Sequence, residues 1–191
     1  MRTLIFLFIF WVSPLVSEQL LSRDLGILGA LAPQLKISQW FDEEGKPLKD
    51  PSSILDWKGK VVFILCWQSW CPGCHSSGLP TLKELSDHFQ DNPGIQFLSI
   101  QTVFEGHGVN TVEKVPKTMK SFELRVPSGH DFGSQHPSRP PDTMRYYRTG
   151  GTPWVIIIDK RRRVVYNDFR VDPKKAIPYL QKLIDESLGR N

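Results

Sequence analysis

Seven consecutive residues, Val61 to Trp67 (VVFILCW), are apolar. A run this short, β-branched at its start, suits a strand buried on both faces, as at the centre of a parallel sheet. Cys71-Pro72-Gly73-Cys74 follows almost at once. Leu79, Leu82, Leu85 and Phe89 then recur at helical spacing, up to a closing Asp91-Asn92-Pro93-Gly94. Ile95 to Val103 (IQFLSIQTV) is the next apolar stretch. Strand, helix and strand in that order fit a right-handed βαβ unit. The expected class is therefore α/β, a mixed sheet with helices on both faces.

A chain of 191 residues allows one domain and an appendage. Its composition, 40% hydrophobic and 23% charged, is that of a globular protein. With 14 Gly and 15 Pro it is neither collagen-like nor low in complexity. Three cysteines cannot all pair within one chain, which excludes a disulfide scaffold. A net charge of +4 does not argue for nucleic acid.

The first residues stand apart. Met1-Arg2-Thr3 leads into Leu4–Val16, 13 residues interrupted only by Ser13 and Pro14. A short apolar run behind a positive charge is the pattern of a secretory leader, and it is shorter than the roughly 20 residues of a membrane-spanning helix. Residues 1–17 are expected to be a signal peptide cut near 17/18; an uncleaved membrane anchor and a buried core helix are the alternatives. Residues 18–31 are expected to be a helical lead, on the spacing of Leu20, Leu21, Leu25, Leu28 and Leu31, and 32–191 the domain itself. An extracytoplasmic location follows, where disulfides persist.

Along the domain, Gln34 to Trp40 reads as a strand, turned into a hairpin by Asp42–Pro47. Ile54–Lys60 is a helical turn. Thr111–Leu124 is expected to be a helix with a late start or kink at Pro116. Pro127–Asp142, dense in Pro, Gly, Ser and His, reads as a long surface loop. Thr143–Tyr147 forms a helical turn and Trp154–Asp159 a buried strand. Lys160-Arg161-Arg162-Arg163 is a solvated turn into the strand Val164–Phe169. Asp172 caps a last helix that opens on Pro173.

Cys-x-x-Cys at a helix start places the first sulfur beside unpaired backbone N–H groups, which stabilise a thiolate. The two-residue spacer lets Cys74 close a disulfide with Cys71, and Pro72 and Gly73 keep the loop compact and restrained. A thiolate is the nucleophile of disulfide exchange. Followed by His75, the same residues also spell the haem c attachment pattern; a structural disulfide or zinc are further readings, although no second ligand pair accompanies them. His75 itself is either a tuning charge for Cys71 or a first-turn surface residue. Cys66 reads as a small buried hydrophobe. Trp70, adjoining Cys71, is placed to line a substrate groove.

Trp70-Cys71-Pro72-x-Cys74 after a buried strand, with Gly150-Gly151-Thr152-Pro153 ahead of another, resembles the thioredoxin superfamily. Lys58-Gly59-Lys60-Val61-Val62, Trp67 and Trp70 narrow the resemblance to its TlpA/ResA-like extracytoplasmic thiol–disulfide oxidoreductases, over roughly residues 32–188. The resemblance implies a thioredoxin-like three-layer sandwich with an N-terminal β-hairpin. It implies a cis peptide at Pro153, a Thr152 backbone that pairs with an incoming peptide, and no cofactor or metal. Pro153 lies 82 positions after Cys71, which leaves room for an inserted αβ element at 104–142. Leu65 stands where thioredoxins carry a buried Asp; Glu105, beyond the next strand, is the substitute by position. Pro80 falls six residues after Cys74, one more than in the family. The partners implied are protein disulfides or thiols and an upstream thiol donor, with no nucleic acid and with membrane contact only through an uncleaved leader. A disulfide donor, a thiol peroxidase, a haem c carrier through Cys71, Cys74 and His75, and a non-catalytic binding module are the competing functions.

Overall fold

The computed structural model describes residues 25–49, 53–133 and 139–187. The expected leader at 1–17 and the first part of the expected helical lead lie outside them. Six strands form one sheet: β1 Gln39–Phe41, β2 Val61–Trp67, β3 Ile95–Thr102, β4 Ser128–Asp131, β5 Trp154–Ile158 and β6 Val164–Phe169. The spatial order is β1-β4-β3-β2-β5-β6. β2 runs parallel to β3 and β3 to β4, while β1, β5 and β6 pair antiparallel with their neighbours. Helices α1 Leu79–His88, α2 Lys114–Ser121, α3 Asp142–Tyr147 and α4 Pro173–Asp185 complete it.

The sheet separates two apolar layers. Val61, Phe63, Leu65 and Trp67 of β2 face one way, onto Leu79, Leu82 and Leu85 of α1, Val115 and Met119 of α2, and Leu180 and Leu183 of α4. Val62, Ile64 and Cys66 face the other way, with Tyr147 of α3 and with Ala32, Leu35, Trp40 and Ile54 from the segment before β2. All seven β2 residues are buried, so the period-2 alternation is present in space although both faces read as apolar in sequence. The three-layer α/β sandwich is as expected.

Several elements differ from the sequence reading. Leu25–Leu31 is not helical: Gly26 and Gly29 take φ +78° and +79°, and the segment lies along the β6 hairpin. Gly29 N–H donates to Val164 O, Val164 N–H to Ala30 O and Ala32 N–H to Arg162 O. Leucine spacing alone could not see two left-handed glycines. The 34–40 strand shrinks to Gln39–Phe41 and pairs with β4; the expected hairpin survives as a tight turn, with Asp42 N–H donating to Lys46 O and one bridge from Phe41 to Pro47.

The largest correction is at 127–142. Ser128–Asp131 is not loop but a fully buried strand between β1 and β3. Gly129 apart, its side chains are polar, and each is answered inside: Ser128 Oγ donates to Val126 O, His130 meets Gln101, and Asp131 accepts from the N–H groups of Gly133, Asp142 and Thr143. Satisfied buried polar groups carry no hydrophobic signal. Three further elements follow the reading. α2 starts late, with Pro116 in its first turn. The 160–163 turn folds round Asp159 Oδ1, which accepts from the N–H groups of Arg161 and Arg163. Asp172 caps α4 through Lys174 N–H, with Pro173 leading.

Candidate active site

β2 ends at Trp67, and a three-residue turn delivers Cys71 to the start of a helix. Cys71 and Cys74 form a disulfide with Cα atoms 5.3 Å apart. Cys74 is fully buried and Cys71 nearly so. Cys74 N–H points at Cys71 Sγ from 3.1 Å, and the Thr152 carbonyl oxygen lies 3.6 Å from the same sulfur. The same N–H also reaches Cys71 O at 3.1 Å; an N–H so placed is one a thiolate at Cys71 could accept, a charge-assisted bond of the kind that favours ionisation. Thr152–Pro153 is a cis peptide bond, as the resemblance implied.

The helix that carries the pair does not begin as an α-helix. Cys74–Gly78 makes one wide π turn, closed by Leu79 N–H donating to Cys74 O, before α1 proper. A π turn holds one residue more than an α turn. It absorbs the extra residue noted between Cys74 and Pro80, and Pro80 ends up in the first turn of α1, where a proline does no damage.

The two flanks of the disulfide differ. On the Pro153 side the contacts are apolar and close. A Cβ on Gly78 would lie 2.7 Å from Pro153 Cβ and 3.4 Å from Leu65 Cδ1, so only glycine fits there. Leu65, Gly78, Pro153 and Val155 leave no room for a water molecule between them.

On the β3 side the contacts are polar. Ser69 N–H donates to Asn110 Oδ1 at 2.7 Å, and Ser69 O accepts from His75 Nε2 at 2.8 Å. Ser69 Oγ accepts from Gln101 Nε2, whose Oε1 accepts from His130 Nδ1 at 2.7 Å. Asn110 Nδ2 donates to the carbonyls of Glu105 and Gly106. Gln68 Nε2 donates to Thr102 O, and Cys71 N–H returns to Gln68 O at 3.3 Å.

The expected site residues fall into place unevenly. Trp70 is 47% exposed beside Cys71, its indole lying over the backbone of Gly106. Pro72 is exposed and Gly73 half-buried, packed towards Pro153. His75 is exposed, bonded to Ser69 O and set against the Phe122 ring at 5.5 Å. Glu105 is exposed on the loop after β3, and its backbone carbonyl, not its side chain, joins the Asn110 cluster. Cys66 faces the opposite layer, and burial pushes its thiol far above the ordinary range.

Sequence reasoning missed Ser69, Gln101, Asn110 and His130, and it missed Phe169. That ring is 47% exposed, packs edge-on to Trp154, and approaches Gly151 next to Thr152. One signal was available: Ser99 and Gln101 are polar residues set between apolar ones in a strand expected to be buried, where a polar group needs a partner.

A sheet of this order, with a Cys-x-x-Cys pair at a helix start facing a cis-proline loop, defines a thioredoxin-like thiol–disulfide oxidoreductase. The chain belongs to the Redoxin family, whose sequence profile matches residues 41–184. It is 26% identical over 157 residues to a thiol-disulfide oxidoreductase ResA of Bacillus cereus, covering 82% of this chain and 78% of that one. It is 28% identical over 137 residues to the ResA of Geobacillus thermodenitrificans, covering 72% and 66%. Among solved structures, a thiol-disulfide isomerase from Corynebacterium glutamicum superposes with a TM-score of 0.72 at 29% identity, covering 83% of this chain and 98% of that one. A thioredoxin-like superfamily protein gives 0.72 at 28%, covering 82% and 97%.

Proposed function

We propose that this enzyme works outside the cytoplasm and reduces disulfides in partner proteins, with Cys71 as nucleophile and Cys74 as resolving thiol. The observation that supports this reading is the geometry of the pair: Cys74 is fully buried while Cys71 keeps a small exposed area, with the Thr152 carbonyl of the cis-proline loop 3.6 Å from its sulfur. Only Cys71 is placed to meet an incoming sulfur.

The Cys71 thiolate attacks one sulfur of the partner disulfide. A mixed disulfide forms and the other partner sulfur leaves as thiolate. Cys74 then attacks Cys71, the second partner thiol leaves, and the Cys71–Cys74 disulfide remains with two electrons passed to the partner. An upstream dithiol reverses that oxidation. Thr152 offers backbone for an extended partner segment, with exposed rings nearby at Trp70, which adjoins Cys71, and Phe169, which approaches Gly151. The apolar run at 4–16 supports export.

The test is the reduction potential of the pair, by equilibration in thiol/disulfide buffers. A value near thioredoxin's, about −270 mV, is expected of a reductase. A value near about −120 mV makes the enzyme a disulfide donor, and a pair that does not titrate removes the redox reading. For export, intact mass of the secreted protein should match residues 18–191.

A further inference from the structure

Ser69 is the most heavily bonded residue of the active-site turn. Its N–H, its carbonyl and its hydroxyl are each held by a different side chain, from Asn110, His75 and Gln101. Asn110 and His130 both come from the 104–142 insertion, Asn110 from its loop and His130 from β4. We propose that this polar cluster positions the nucleophile: Gln101, held in turn by His130, fixes the Ser69 hydroxyl and with it the Cys71 sulfur, beside the Asn110 bond to the Ser69 N–H. These are positioning residues, none of which touches the reacting atoms.

The hydrogen-bond directions are set by the groups. Gln101 Oε1 can only accept, so His130 Nδ1 carries the hydrogen; Gln101 Nε2 can only donate, so Ser69 Oγ receives. Gln101, Asn110 and His130 are buried, and Ser69 is partly so. In a site with little water, losing one link leaves its neighbours unpaired, so the cluster holds one arrangement. His130 enters it neutral, because burial holds its pKa below the ordinary value; Glu113 pulls weakly the other way.

The link to chemistry runs through two residues. Ser69 is two positions before Cys71, and Gln68 O takes the Cys71 N–H. The aim of Cys71 Sγ at Cys74 N–H depends on that turn being fixed. If the turn relaxes, the N–H···S⁻ bond lengthens, the thiolate loses stabilisation, and the reduced pair loses it too. The disulfide is then favoured and the potential becomes more negative.

The experiment compares the native enzyme with Ser69→Ala, Ser69→Thr and Gln101→Leu. It reads the Cys71 thiolate titration by ultraviolet absorbance and the redox equilibrium with glutathione. Cys66 stays silent in this titration, being buried and raised. Ser69→Ala and Gln101→Leu are expected to raise the titration by about one unit and shift the redox equilibrium up to tenfold towards the disulfide, about 30 mV. Ser69→Thr keeps the acceptor and should titrate as native. Should Gln101→Leu fail to fold, Ser69→Ala decides alone. Melting temperatures that fall while titration and equilibrium stay native would overturn the proposal. It rests on the redox reading of the pair, and the two fail differently: if the native pair itself does not titrate, both fall.

Discussion

The two flanks of the Cys71–Cys74 disulfide hold it by different physics. On the Pro153 side, Gly78, Leu65 and Val155 pack without space for water, and the constraint is distance. On the Ser69 side, four polar side chains hold one turn, and the constraint is direction. Close packing sets how near the groups can come, and hydrogen bonds add a preferred direction. A pair that must break and re-form a bond at one set distance and angle draws on both.

Substitutions break that comparison in order of size. Cys71→Ser should abolish exchange outright, whichever flank is intact. Cys74→Ser should leave the first attack and stop the second, so the mixed disulfide accumulates and is seen as a covalent adduct by intact mass. Next comes the apolar flank. Gly78→Ala forces a methyl against Pro153 and should cost about 1–3 kcal/mol, read as a lowered melting temperature together with slower exchange. A melting temperature at or above native would mean that this flank yields, contrary to the glycine contacts.

A smaller effect is expected from the polar flank, and it depends on pH. The folded protein holds His130 below the ordinary histidine pKa, so between the two values the unfolded chain binds more protons. Stability from this group is therefore present at neutral pH and declines as the pH falls through about 6.5. His130→Gln should flatten the decline, measured by denaturant midpoints from pH 7 to 5. Asp131, raised by burial, acts in the opposite sense at lower pH: the folded state takes up its proton first, and its contribution fades as the pH rises. The smallest change is Cys66→Ala, on the far layer from both flanks. It should cost about 1 kcal/mol for the lost volume and leave exchange rates native. Thiol labelling of the folded native enzyme should miss Cys66.

The apolar flank was largely legible in the sequence and the polar one was not. Val61–Trp67 announces the central strand by composition, Cys71 and Cys74 by spacing, and Thr152–Pro153 by its place before Trp154–Ile158. Even the displaced Pro80 was visible as a one-residue excess, although only the structure shows the π turn that absorbs it. The polar flank joins residues more than thirty positions apart, Ser69 with Gln101 and Asn110, through partners that local pattern does not encode. β4 failed for the same reason: Ser-Gly-His-Asp reads as turn chemistry until β1 and β3 close on it. Leu25–Leu31 failed differently, because its leucines kept helical spacing while its glycines turned left-handed.

The pairing of β2 with β5 sets Leu65 opposite Val155, two residues far apart along the chain. Contacts so distant carry the cost of ordering the intervening chain. During synthesis, Cys66, Cys71 and Cys74 emerge together, well before the strand that covers one and frames the others. For that interval the three thiols are chemically alike, and any two of them are partners. Covering by β5 is what removes Cys66 from competition with the Cys71–Cys74 pair, so the pairing is guarded by a strand far downstream in the chain.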